Sequence, residues 1–317
     1  MRASRRKQTT RRKRINILKS RRRQRRIVGG KYKNLVCSPT VNPGDKVTNE
    51  SCLTKPILFV LRDEYNKDHS SNPIIATKPI LIWHELKMRL SSCDDDRCLL
   101  SEIDDVTKRE QTMHKLFAPD HPPNWLQNKQ EWLSNHDIDS VMPQYEEKYT
   151  DFKYLGTTSI DYDFKYDNGQ CVEDQLCRFN LEEQMKAGKR RFGAVFNLDK
   201  HTKGGSHWVS MYFDVDHSTI VFFDSAKGGI PKEIKRFIGI VTKQGASMKP
   251  AITFEFKTNN SDHQQGDTEC GVYSIHFIIE MLHNFGNLSR FMNGKIPDKE
   301  MSKKRFEIFN NPLRKTV

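Results

Sequence analysis

A chain of 317 residues, 36% of them hydrophobic, can bury one large core with additions or two small ones, which excludes a mainly disordered protein. Its net charge of +13 suggests a nucleic-acid binder until the charge is located: residues 1–26 hold 14 Lys or Arg and no acid, and taking these from 53 leaves 39 basic against 40 acidic residues. The excess sits in one arm, and no apolar run has the length of a signal-peptide core or a membrane span, so a soluble intracellular protein with no membrane partner is expected.

Like charges packed this densely repel one another and bury no apolar surface, so residues 1–33 read as a basic, flexible arm, disordered in isolation. Residues 1–26 can condense on nucleic acid, serve as a nuclear-localisation tract, or remain a solvated tail. No aromatic residue precedes Tyr32, which argues against base stacking. Residues 34–120 form a mixed region, read as a partly helical accessory domain, with a helix in KPILIWHELKMRLSS where Ile82, Leu86 and Leu90 recur at helical spacing. The proline-rich APDHPPNW, residues 118–125, marks its boundary.

The body, residues 121–300, opens with NKQEWLSNHDIDSVMPQYEEKY, a helix interrupted or ended near Pro143. CVEDQLCRFNLEEQMKAGK reads as a second helix stopping at Gly188. Three strands follow, RFGAVFNLD, HWVSMYFDV and TIVFFDS, the last two joined by Asp216-His217-Ser218 as an antiparallel hairpin. PKEIKRFIGIVTKQG is a helix with proline at its start, AITFEFKT a strand, and CGVYSIHFIIEMLHNFG an apolar helix. Segregated rather than alternating elements make the fold class α+β. Residues 301–317 read as a C-terminal tail without a usable motif.

Seven cysteines, odd in number and without disulfide-like rhythm, suit a reducing compartment with free thiols. The pairs Cys93/Cys98 and Cys171/Cys177 lack a usual zinc-ligand spacing, so neither metal nor cofactor is expected.

Cys270 follows the polar HQQGDTE and precedes an apolar run, which places it in the first turn of a mostly buried helix. A cysteine attacks a carbonyl as its thiolate, and a helix N-terminus or neighbouring imidazolium favours that form. The competing reading is a small buried residue. Gly271 beside it would let a substrate backbone approach closely. A base is available in His207, which follows Gly204-Gly205-Ser206 and begins a strand whose Val209, Met211 and Phe213 share its face by period two. Asp224 lies seventeen residues on, at the end of the paired strand, where it can orient the imidazole or simply cap a turn. Gln264, or its neighbour Gln265, can add an amide donor to the Cys270 backbone N–H as an oxyanion hole, each such donor being worth about 2.7–4 kcal/mol in the transition state.

Taken together, His-Trp on a strand, Asp in an aromatic strand, then Gln and Cys-Gly before an apolar helix resemble the ubiquitin-like-protein (SUMO) proteases. The resemblance extends to their adenain-type relatives and to the polyprotein-processing enzymes of large DNA viruses such as African swine fever virus. It covers residues 124–290 in the chain order His, Asp, Gln, Cys, whereas papain-like enzymes place Cys before His. It implies a SUMO-protease-like fold, a central mixed sheet flanked by helices, and a slot roofed by Trp132 and Trp208 that admits only glycine, although Trp132 is equally readable as core. The implied substrate is a viral structural polyprotein or another Gly-Gly-containing protein, cut in the virion and host cytoplasm, with nuclear action also open. Deconjugation of a ubiquitin-like modifier is the nearest alternative; a virion nucleic-acid-binding protein with an inactive body is an alternative of another class. Glu269 in TECGV, where SUMO proteases usually have Asp, favours the viral enzymes. The arm ends in Ile27-Val28-Gly29-Gly30-Lys31, so Gly30-Lys31 is a self-cleavage candidate, or a flexible linker.

Overall fold

The computed structural model describes residues 35–311, so the basic arm and Gly30-Lys31 lie outside the described residues. The chain divides into two compact units: one reaches Cys37 and resumes over Val41–Leu116, and the other holds Ser38–Thr40 and everything from Phe117 on.

Helices α1 (Lys55–Asp68), α2 (Pro79–Arg89) and α3 (Val106–Leu116) form the first unit. Pro56 and Pro79 stand in the first turns of α1 and α2, where a missing N–H costs no helical bond. Leu58, Leu61 and Tyr65 of α1 and Ile82, Trp83 and Leu86 of α2 are buried. Asp96, buried, accepts from Trp83 Nε1 at 3.0 Å and from the Ser51 hydroxyl at 2.5 Å. Disulfides join Cys37 to Cys52 and Cys93 to Cys98. With Cys171–Cys177 in the second unit they pair six of the seven cysteines, against the expectation of free thiols, and only Cys270 stays free. The short loops bring Cys93 and Cys98 to a Cα separation of 5.4 Å, a proximity that spacing in sequence does not reveal.

The second unit is built on a mixed sheet in the order β1 (Phe152–Ser159), β2 (Arg191–Asn197), β3 (Trp208–Asp214), β4 (Thr219–Phe223) and β5 (Glu255–Thr258). The outer pairs β1/β2 and β4/β5 are parallel, and β2/β3 and β3/β4 antiparallel, the latter being the expected hairpin. Strand alternation gives the sheet two apolar faces. Tyr154, Val195, Tyr212, Val221 and Phe223 pack with α4 (Asn135–Lys148) and α8 (Cys270–His283), while Phe192, Ala194, Met211, Phe213 and Phe222 pack with α7 (Lys232–Ala246). Helix α8 is buried continuously from Cys270 to Ile279, the position of a central core helix.

Several expectations are corrected. Helix α4 starts on a Ser134–Asp137 capping box and runs through Pro143 to Lys148. Burial of Ile138, Val141 and Met142 outweighs the cost of about 3 kcal/mol that an interior proline imposes. The stretch 171–189 is two short helices, α5 (Asp174–Cys177) and α6 (Leu181–Lys186), because the Asn180 side chain accepts the Glu183 N–H and starts a new cap. The tail expected from residue 301 begins inside a helix: after α9 (Leu288–Asn293), α10 (Asp298–Ile308) crosses that boundary and buries Met301, Arg305 and Ile308.

Candidate active site

The hairpin β3–β4 delivers a histidine and an aspartate to the same end of the sheet. His207 stands one residue before β3, and its carbonyl accepts the Leu198 N–H at 3.0 Å. Val209, Met211 and Phe213, which share the face of His207 by strand alternation, pack in the apolar cluster that includes α7. Imidazole Nε2 lies 2.7 Å from Asp224 Oδ1, at the first residue after β4.

Asp224 is 2% exposed and held from four directions. Oδ1 accepts the Ala226 N–H at 2.9 Å and Oδ2 the Gly228 N–H at 2.7 Å. Asn259, just past β5, accepts the Asp224 N–H at 3.1 Å and donates to its carbonyl at 2.7 Å. A Cβ on Gly228 would come within 2.5 Å of Asp224 Oδ2, so the turn that supplies this N–H requires glycine. Burial raises the Asp224 pKa, but the His207 hydrogen bond and charge, with the two backbone donors, more than offset this and hold it below the ordinary carboxylate value.

Cys270 opens α8 and is buried to 1% exposure. Cys270 and Asp224 are the two groups that act on the His207 imidazole. Burial pulls the imidazole pKa down, yet the Asp224 carboxylate and the Cys270 side chain outweigh it and raise it to about 9. The imidazole is thus charged at neutral pH. His263 and His276 are more deeply buried but belong to the core: His263 ties the carbonyl of Phe291 to the N–H of Ile296, and burial lowers the His276 pKa to about 3.

Of the two glutamines, Gln264 is buried at the site and Gln265 exposed. The Ser225 hydroxyl donates to Gln264 Oε1 at 2.7 Å, and the Gln264 N–H returns to the Ser225 carbonyl at 2.9 Å. With its oxygen engaged, the side chain keeps its NH₂ as the end that can donate to an anion. Ser225 and Asn259 escaped the sequence reading, since a serine after Asp224 and an asparagine after a strand carry no signal of their own.

Trp208 and Trp132 sit on different footings. The Trp208 indole is 7% exposed and donates from Nε1 to the Leu133 carbonyl at 2.8 Å, while Trp132 is half-buried. Gly271 presses its bare face against both neighbours: a Cβ there would lie 3.1 Å from Leu133 Cβ and 3.3 Å from Trp208 Cδ1. The close approach that Gly271 permits in this structure is therefore internal. Both tryptophans line a groove of about 790 Å³ that continues past Thr157–Ser159 and Asn197 to Lys200. A thiol, a charged imidazole fixed by a carboxylate and a buried amide donor beside a groove are the parts of a site for nucleophilic attack on a carbonyl.

Comparison with known proteins places the chain among cysteine proteases. Residues 32–247 match the family described as the vaccinia virus I7 processing peptidase, and residues 195–315 match the C-terminal catalytic domain of the Ulp1 protease family. A thiol-protease homologue from Acanthamoeba polyphaga mimivirus is 34% identical over 152 residues, 48% of each chain, so the match spans about half of that relative. The SUMO-1 cysteine protease of African swine fever virus is 27% identical over 241 residues, 70% of this chain and 85% of the relative. The crystal structure of the African swine fever virus protease shares the fold, with a TM-score of 0.61 at 22% identity over 87% of this chain and 98% of that one. The chain belongs to the vaccinia virus I7 processing peptidase family, viral cysteine proteases of SUMO-protease-like fold.

Proposed function

We propose that the chain is a cysteine endopeptidase that cleaves after Gly-Gly and processes viral structural polyproteins during virion maturation. The observation that carries this reading is one imidazole 2.7 Å from a buried carboxylate and acted on by the one free cysteine, which opens a buried helix. His207 takes the Cys270 thiol proton as base, the resulting thiolate attacks the scissile carbonyl, and the imidazolium then gives that proton to the departing amine. Asp224 keeps the ring oriented throughout. The Gln264 NH₂ and the Cys270 N–H hold the oxyanion, and water then hydrolyses the thioester with neutral His207 as base. Trp132 and Trp208 roof the approach and leave room only for glycine. The basic arm would keep the enzyme on nucleic acid in the particle or viral factory. A second reading, release of a ubiquitin-like modifier, is favoured by the Ulp1-type match over residues 195–315 and uses the same site.

The test is intact mass after exposure to a Gly-Gly peptide with a C-terminal electrophile. A single adduct on the wild type, absent from Cys270→Ser, is expected. No adduct on folded protein, with or without DNA, sinks the protease reading in favour of a nucleic-acid-binding protein. Polyprotein-junction peptides and modifier conjugates, compared as substrates, separate the two protease readings.

A further inference from the structure

The C-terminal helix α10 sends one side chain into the site from behind. Arg305 is 1% exposed, and each nitrogen of its guanidinium makes a hydrogen bond: Nε donates to Glu269 Oε2 at 2.5 Å, one terminal nitrogen to the Thr268 carbonyl at 2.6 Å, and the other to the Glu131 carbonyl at 2.6 Å. Its flat face lies over Trp125, 4.6 Å from the ring centroid. Ser302, one turn earlier, donates to the other Glu269 oxygen at 3.2 Å.

These partners fall on two segments far apart in sequence. Thr268 and Glu269 immediately precede Cys270, and Glu131 immediately precedes Trp132. Leu133, on the other flank of Trp132, is held through its carbonyl by Trp208. The Trp132 backbone is therefore pinned on both sides, and Arg305 ties one side to the nucleophile's loop. Asp298, two turns earlier on α10, holds that loop further back, accepting the Gly266 N–H at 2.8 Å, the Gln265 N–H at 3.1 Å and the Tyr273 hydroxyl at 2.9 Å. A planar fork with three committed directions is needed to serve Glu269, Thr268 and Glu131 together, which a lysine cannot do. Arg305 also faces the Glu269 carboxylate, buried one residue from the thiol, and without that cation the acid would oppose a thiolate.

We propose that Arg305 is a positioning residue for the reaction, locking the roof segment 131–133 to the loop that delivers Gln264 and Cys270 and neutralising Glu269 beside the thiolate. The inference rests on the protease reading given above. It makes helix α10 a working part of the site rather than a terminal appendage.

The test compares wild type, Arg305→Lys, Arg305→Met and the Glu269→Gln/Arg305→Met pair, by peptide cleavage, Cys270 alkylation across pH and thermal melting. Arg305→Lys keeps the charge and loses the fork, so kcat/KM falls on the order of 10- to 100-fold through misplacement, with an unshifted alkylation profile. Arg305→Met shifts alkylation to higher pH, and adding Glu269→Gln returns the profile towards that of wild type without restoring cleavage. If Arg305→Met does not fold, the neutral pair is read in its place, because it leaves no buried charge unpaired. Folded Arg305→Lys and neutral-pair variants with kcat/KM within about twofold of wild type overturn the proposal. A wild type that neither cleaves nor labels overturns the protease reading as well; an active wild type with unaffected variants overturns this one alone.

Discussion

His207 carries the most informative shift in the molecule. Its ordinary value of 6.5 is raised to about 9, so its pairing contributes stability that is fully present below pH 6.5 and is lost as pH rises through 9. The same proton is the one owed to the leaving amine. The rate of Gly-Gly peptide cleavage, measured as kcat/KM against pH, should therefore fall with a basic limb near 9. Asp224→Asn should lower the rate on the order of 10²-fold or more and move that limb to lower pH. The amide cannot accept at both ends as the carboxylate does, so one of the Ala226 and Gly228 N–H groups is left without its acceptor. A stability loss of about 1–3 kcal/mol by urea unfolding is expected. A pH profile that does not move in the variant removes Asp224 from its orienting role.

At the scale of elements, α8 and the roof segment meet at Gly271. Gly271→Ala would push a methyl against Leu133 and Trp208, and overpacking of this kind costs about 1–3 kcal/mol. Circular dichroism melting should show that loss, and KM for a Gly-Gly peptide should rise as the roof is displaced; unchanged KM with lowered stability confines Gly271 to packing. The elements differ in how openly their sequences declare them. Helix α8 is legible as an unbroken apolar run, and β3 and β4 as aromatic runs around a polar turn. Strand β1 was not. Gly156 sits at φ +103°, and the register with β2 slips between Tyr154 and Thr157, which breaks the period of two that marks a strand. Helix α10 is similarly hidden, because between the buried Met301 and Ile308 its inward face carries an arginine paired with Glu269 where an apolar stripe would have continued.

For the whole molecule, the charge division made from the sequence predicts separable activities. The full chain should bind nucleic acid with steep salt dependence, whereas a chain lacking residues 2–26, near neutral overall, should lose that binding and keep peptide cleavage. Equal binding by both forms, followed by fluorescence anisotropy across salt, would place the nucleic-acid surface on the body.

The sequence by itself determined the residue types and their order: a lone cysteine before an apolar helix, a histidine and an aspartate at the two ends of one hairpin, and a glutamine six residues upstream of the cysteine. Hairpin pairing is local, so the His207–Asp224 contact follows from short-range rules. Only the tertiary structure decided what surrounds them. Ser225 on Gln264, Asn259 on Asp224 and Arg305 on Glu269 join segments 35 to 39 residues apart. Polar residues of this kind carry no periodic signature, and their partners are set by chain packing, which buries each hydrogen-bonding group only where another can meet it.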